Sequence, residues 1–202
     1  MFSSSQISLV SAEQVCVPVQ NAMVVQEPVF DTKRPSNAFL AFLARDLCVG
    51  VYNSHDSDRV HQNQDGSIQI IFPDGSQVTE LPMHMKVEQV FLILLNLRDA
   101  LDICNSELLQ SMLYMRRILS MGRAIVNTYS LPRFLVGSVI LSTKMNADIL
   151  RSNAFIAQTL GVNLQRLNRW ESSTLTGLNW EMNIAEEEFL NLQEALHNVV
   201  FY

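Results

Sequence analysis

Residues 131–148, "LPRFLVGSVILSTKMNAD", and 164–182, "LQRLNRWESSTLTGLNWEM", decide how this chain is read. Apolar residues recur in both at helical spacing. Each stretch also carries one charge, Lys144 or Glu171, on or beside its apolar stripe. A lone charge on a core-facing stripe costs free energy unless it finds a partner. Two opposite ones therefore predict a pair between packed helices. Leu141, Lys144 and Met145 share a face at i, i+3 and i+4, and Glu171, Leu175 and Leu178 share one at i, i+4 and i+7. Side by side, the helices would bring Lys144 and Glu171 to one end of a groove floored by Leu141, Met145 and Leu175. Trp180 and Met182, just beyond the second helix, would wall it. An apolar floor, rim charges and a large aromatic anchor suit the docking of a partner's helix. The competing reading makes Leu141, Leu175 and Trp180 ordinary core.

Working outward, everything from Val87 onward has helical period. One helix covers Val87 to about Leu101, and a second is capped by Asn105 or Ser106. Pro132 occupies the first turn of the third, where its missing N–H costs nothing. Ser152 or Asn153 caps a short fourth, which stops at Gly161, and Asn163 caps the fifth. The third helix is rich in small and β-branched residues (Val136, Gly137, Ser138, Val139), which let neighbours approach a central helix closely. A last helix spans 185–202, its acidic opening complementing the helix dipole.

Upstream, Ser36 or Asn37 caps a helix over 36–51, and residues 1–35 lack helical period and read as a flexible tail. Between them and the helical array lies 53–86, which holds a hairpin: "SIQIIFPDGSQVTEL" alternates apolar and polar residues on both sides of Pro73-Asp74-Gly75. Ile68, Ile70 and Phe72 share its apolar face, and Ile71 points the other way. That face is expected to rest on the 36–51 helix, because a lone hairpin is marginal in water.

Composition narrows the function classes. The net charge of −6 argues against wholesale nucleic-acid binding. Charge is nonetheless uneven: eight basic residues and one acid, Asp148, lie between Arg116 and Arg169, whereas six glutamates and no Lys or Arg follow from Glu171. Three scattered cysteines and four scattered histidines provide no disulfide framework and no metal-ligand spacing, so no metal or cofactor is expected. The seven glycines are dispersed, with no phosphate-cradling loop. No apolar run reaches the ~18–20 residues needed to span a bilayer. The N-terminus lacks a basic, then apolar, signal segment, so a cytoplasmic or nuclear location is the expectation.

At the residue level, "ILSTKMNADILRSNAFIAQTLGVNLQRLNRWESSTLTGLNWEM" resembles the P/U-type (phosphate-signalling) cyclins of fungi, plants and protists. The matching positions are Lys144, Asp148, Ser152, Asn153, Gly161, Val162, Leu167, Asn168, Glu171, Leu175, Leu178 and Trp180. "LLQSMLYMRRIL" resembles the family's second box helix, which ends in Tyr-x-x-Arg-hydrophobic, and the 36–51 helix resembles the one these cyclins place before the box. Departures are Met145, where an aromatic is usual, and Thr174, where a bulky side chain is usual.

The resemblance implies an all-α fold: a single five-helix cyclin box over 87–182 within a domain over 36–202. An extra N-terminal helix, a C-terminal helix and a small inserted β-hairpin complete it. It further implies a non-catalytic regulatory subunit that activates a cyclin-dependent serine/threonine protein kinase by docking the kinase's C helix. The implied kinase-binding residues are Leu141, Lys144, Met145, Glu171, Leu175, Leu178, Trp180 and Met182. Kinase substrates or inhibitors would be further partners, with no membrane. A cyclin-fold scaffold that activates no kinase, or a transcription-factor-like nucleic-acid adaptor, are the alternatives.

Overall fold

The computed structural model describes residues 33–54, 60–71, 75–122, 124, 126–127, 129–146 and 151–200. The tail over 1–32, the hairpin apex at Phe72, Pro73 and Asp74, and Asp148 lie outside them. The described elements are α1 (Asn37–Asn53), β1 (Val60–Gln62), β2 (Ile68–Ile71), β3 (Gln77–Glu80), α2 (Met83–Leu101), α3 (Asn105–Met121), α4 (Leu131–Asn146), α5 (Asn153–Leu160), α6 (Leu164–Gly177) and α7 (Glu186–Val200).

Local signals start and stop most helices where the sequence suggests. The Ser36 hydroxyl accepts from the Phe39 N–H at 3.1 Å, Ser152 from Phe155 at 3.2 Å and Asn163 from Arg166 at 3.2 Å. Each satisfies a donor the helix leaves orphaned. Gly161 ends α5 in the left-handed region, at φ +65°. Two starts differ from expectation. Helix α2 opens at Met83 rather than Val87, and α3 is capped by Cys104, whose N–H donates to the Glu107 carboxylate at 2.8 Å. A side chain three residues into a helix that reaches back in this way does half the work of a capping box.

Helices α2 to α6 form a five-helix array around α4, in which every residue from Phe134 to Ser142 is buried. Helices α3 and α6 flank α4, and α1 packs on α2 and α3 at the edge of the same core. Closest approach is between α4 and α6. A Cβ built at Gly137 would lie 2.1 Å from Thr174 Oγ1 and 2.9 Å from the Trp170 carbonyl oxygen. Thr174 is wholly buried there, its hydroxyl donating to the Trp170 carbonyl at 2.9 Å. The small partner of a close helix crossing is thus Gly137, and Thr174 fits over it.

The inserted segment has three antiparallel strands in the order β1-β2-β3, one more than expected. Residues 60–62 pair with 70–68, joined by a turn in which Gly66 takes φ +79° and the Asp65 carboxylate accepts from the Ser67 N–H at 2.9 Å. Three residues are too few for β1 to show alternation along the sequence; the Asp65-Gly66 pair is the local sign of its turn. Ile68 and Ile70 are buried and Ile71 is not, as the alternation requires. Glu80 lies directly opposite Ile68 in register, so it too points inward. There it forms an ion pair with Lys86 of α2, both side chains at most 3% exposed. Cys48 of α1 lies within electrostatic reach of Lys86, and burial pushes its thiol up to about 11. The buried ion pair therefore ties the sheet to the start of α2.

Candidate functional site

Lys144, in the last turn of α4, and Glu171, in the middle of α6, meet as their opposite charges predict. Lys144 Nζ lies 2.6 Å from Glu171 Oε1, with the side chains 27% and 16% exposed. Glu171 is held from its other oxygen as well. Asn153, the first residue of α5, donates its amide to Glu171 Oε2 at 2.5 Å and to Asn168 Oδ1 at 2.8 Å. Arg151 ties the approach to α5 onto the Leu101 carbonyl at the end of α2. Three helices, α4, α5 and α6, thus meet at one part-exposed ion pair whose geometry is set before any partner arrives.

The apolar residues around the pair divide in two. Met145 is 57% exposed, Leu175 is half-buried and Leu141 is buried. Of the three, Met145 and Leu175 keep surface that a groove could use, whereas Leu141, 4% exposed, is core. Leu178 does not belong to the groove either. Although three residues from Leu175, Leu178 is fully buried, since α6 ends at Gly177 and the chain then turns its side chain inward. A side chain with no surface has none to offer a partner, so its place among the binding residues is corrected to core.

Trp180 is the reverse case. It is 68% exposed, so the core reading of this residue is wrong. Its position follows from the end of α6, a Schellman turn: the Trp180 N–H donates to the Leu175 carbonyl at 2.9 Å and the Asn179 N–H to Thr176 at 3.0 Å. Asn179 tolerates the left-handed conformation this needs, at φ +54°, but Trp180 is also left-handed, at φ +63°. A bulky residue there is strained, and such strain concentrates at functional sites.

Helix α3 holds this turn in place. The buried Tyr114 donates its hydroxyl to the Met182 carbonyl at 3.1 Å. Arg117 donates to the carbonyls of Glu181 at 2.8 Å and Asn183 at 2.9 Å, and pairs with Glu188 of α7 at 3.0 Å. Desolvation raises the Tyr114 pKa and keeps it a donor at neutral pH. The Tyr-x-x-Arg motif of α3 therefore fastens the segment that presents Trp180 and the half-buried Met182. Sequence reasoning noted that motif but could not assign it this work, because its partners lie more than 60 residues away. It also passed over three arginines, Arg133, Arg166 and Arg169, that line one shallow depression with Trp170 beside the α4–α6 crossing. The eight basic residues counted along this stretch were the only sign of them. Among the described residues, no group of His, Cys, Asp or Glu could hold a metal ion, and no helix is long and apolar enough to cross a membrane.

Residues 84–182 match the cyclin family model. Among curated proteins, the chain is 29% identical over 79 residues to cyclin-P3-1 of Oryza sativa subsp. japonica, covering 39% of this chain and 34% of that one. It is 28% identical over 91 residues to cyclin-P4-1 of the same species, covering 45% and 43%. To cyclin-U4-1 of Arabidopsis thaliana it is 30% identical over 64 residues, or 32% of each chain. The chain therefore spans well under half the length of these relatives. No solved structure matches it significantly.

Proposed function

We propose that this chain, whose residues 84–182 match the cyclin family model and whose relatives include P-type and U-type cyclins, is the regulatory subunit of a cyclin-dependent serine/threonine kinase of the cytoplasm or nucleus. The kinase's C helix docks against α4 and α6, with Met145 and Leu175 beneath it and Trp180 and Met182 at one side. Lys144 and Glu171 hydrogen-bond the kinase backbone next to that helix. The observation that carries this reading is the Lys144–Glu171 pair, cross-braced by Asn153 and left partly open to solvent. An ion pair with no role beyond stability has no need of a preset geometry at an apolar surface.

The chemistry belongs to the partner. A kinase is active when the glutamate of its C helix swings in to pair with the lysine that orients ATP. A subunit that binds only the inward state adds its binding free energy to that state and shifts the population. Activation is thus a matter of differential affinity, and this chain contributes no reacting group.

Lys144→Ala and Glu171→Ala test the proposal, with the kinase that copurifies from the source cells as partner. Removing either leaves the other without its counter-charge in a site mostly out of water. Each variant should bind the kinase at least about tenfold more weakly by calorimetry, or ~1.4 kcal/mol, while its helical circular dichroism is retained. Wild-type affinity in both would end the argument for this docking face.

A further inference from the structure

Three arginines beside the α4–α6 crossing have no acidic partner. Arg133 of α4 and Arg166 and Arg169 of α6 line one depression with Asn168, Trp170, Ser172 and Ser173. All three arginines are exposed, and none lies within ion-pair distance of a carboxylate among the described residues. Elsewhere, Arg34, Arg98, Arg116 and Arg117 each have one. In a chain of net charge −6, three unneutralised guanidiniums in one place demand an explanation.

Two of them are also pre-positioned. The Arg166 guanidinium stacks 5.0 Å from the centroid of the Trp170 ring, and that of Arg133 lies 4.7 Å from the Phe134 ring. Stacking occupies the face of a guanidinium and leaves its in-plane N–H donors free, the ones that fork onto an oxyanion. It also restrains a long side chain before any ligand arrives, which lowers the ordering cost of binding. Ser172, Ser173 and Asn168 place further hydrogen-bonding groups around the same depression.

We propose that this depression is a docking site for a phosphoserine- or phosphothreonine-bearing segment of a partner protein. A phosphoryl group brings nearly two negative charges and three acceptor oxygens to one point, which matches a small cluster of forked donors. The cluster is too limited for a nucleic-acid backbone, whose binding sums many spaced phosphate contacts. The six glutamates from Glu171 onward would repel such a polyanion further. Docking itself requires no kinase.

Fluorescence polarisation with the full chain alone tests this, using as probe a labelled pool of short peptides randomised around a central phosphoserine. The phosphorylated pool should bind about tenfold or more tightly than the same pool unphosphorylated, and added salt should erode the difference. Arg166→Gln combined with Arg169→Gln should abolish the preference, and Arg169→Lys should weaken it, since an ammonium keeps the charge but loses the fork. Arg45→Gln, which removes one positive charge from α1, should leave it intact. Thermal denaturation of each variant shows whether the fold is preserved. Equal binding of the two pools, or equal loss in Arg45→Gln, overturns the proposal. So does inorganic phosphate or a single-stranded oligonucleotide that binds as tightly as the phosphorylated pool, the first marking a free-anion site and the second a nucleic-acid surface.

Discussion

Gly137→Ala adds a single methyl group where α4 and α6 touch, and its cost follows from three distances. The new Cβ would stand 2.1 Å from Thr174 Oγ1, 2.9 Å from the Trp170 carbonyl oxygen and 3.0 Å from Thr174 Cβ. Rotating Thr174 would clear the first contact but break its hydroxyl's 2.9 Å bond to the Trp170 carbonyl, at a net loss of ~1 kcal/mol. The second contact is with backbone and cannot rotate away, so α6 itself must shift. Overpacking of this kind costs ~1–3 kcal/mol. Alanine's better helix propensity returns ~1 kcal/mol. The net is a loss of about 1–3 kcal/mol, which lowers Tm by about 2–12 °C in a domain of this size. Urea denaturation followed by circular dichroism measures it. Adding Thr174→Ala should recover ~1 kcal/mol relative to the sum of the single changes, because neighbours in contact do not add. A Gly137→Ala protein as stable as wild type, or strict additivity in the double variant, would refute the claim that close approach at this crossing sets the spacing of α4 and α6.

Trp180→Gly should move stability and binding in opposite directions: ~1 kcal/mol more stable by chemical denaturation, as left-handed strain is relieved, and at least about tenfold weaker in kinase affinity. A variant that loses stability would return Trp180 to the core. Lys86→Met should cost about 3–5 kcal/mol by taking the counter-charge away from the buried Glu80 carboxylate, whereas Lys86→Met with Glu80→Leu should restore most of it; equal losses in both would show the pair to be unimportant. Cys48 has its thiol raised to about 11 by burial, so it should resist alkylation in the native protein at pH 8–9 and react once the protein is unfolded in urea, as mass spectrometry would show. Because the folded pKa lies above the unfolded one, the stability this thiol contributes is complete below about pH 9 and is lost as pH rises toward 11. A denaturation midpoint unchanged across that interval would contradict the burial.

What the sequence by itself determined is what short-range physics controls. Caps at Ser36, Ser152 and Asn163, the turn at Gly161 and Pro132 in the first turn of α4 act within about one helical turn of themselves, so their residues suffice to place helix ends. The Lys144–Glu171 pair was equally legible, because an opposite charge on each of two apolar stripes leaves few other ways to avoid stranding a charge. Periodicity could not decide between Leu178 and Trp180. Leu178 follows the Glu171 face at i+7 and Trp180 lies just beyond the helix, yet one is fully buried and the other 68% exposed. That choice is made where α6 ends, by a turn whose fastenings, Tyr114 and Arg117, come from another helix more than 60 residues earlier. Glu80 and Lys86 belong to the same class: only six positions apart, they are buried together because strand register turns Glu80 inward and the start of α2 delivers Lys86 to it. The arginines around Trp170 gather because two helices cross at Gly137, a proximity that no pattern along either helix encodes. Tertiary structure decided these features because burial and charge pairing depend on distance in space, whereas caps and periodicity depend on distance along the chain.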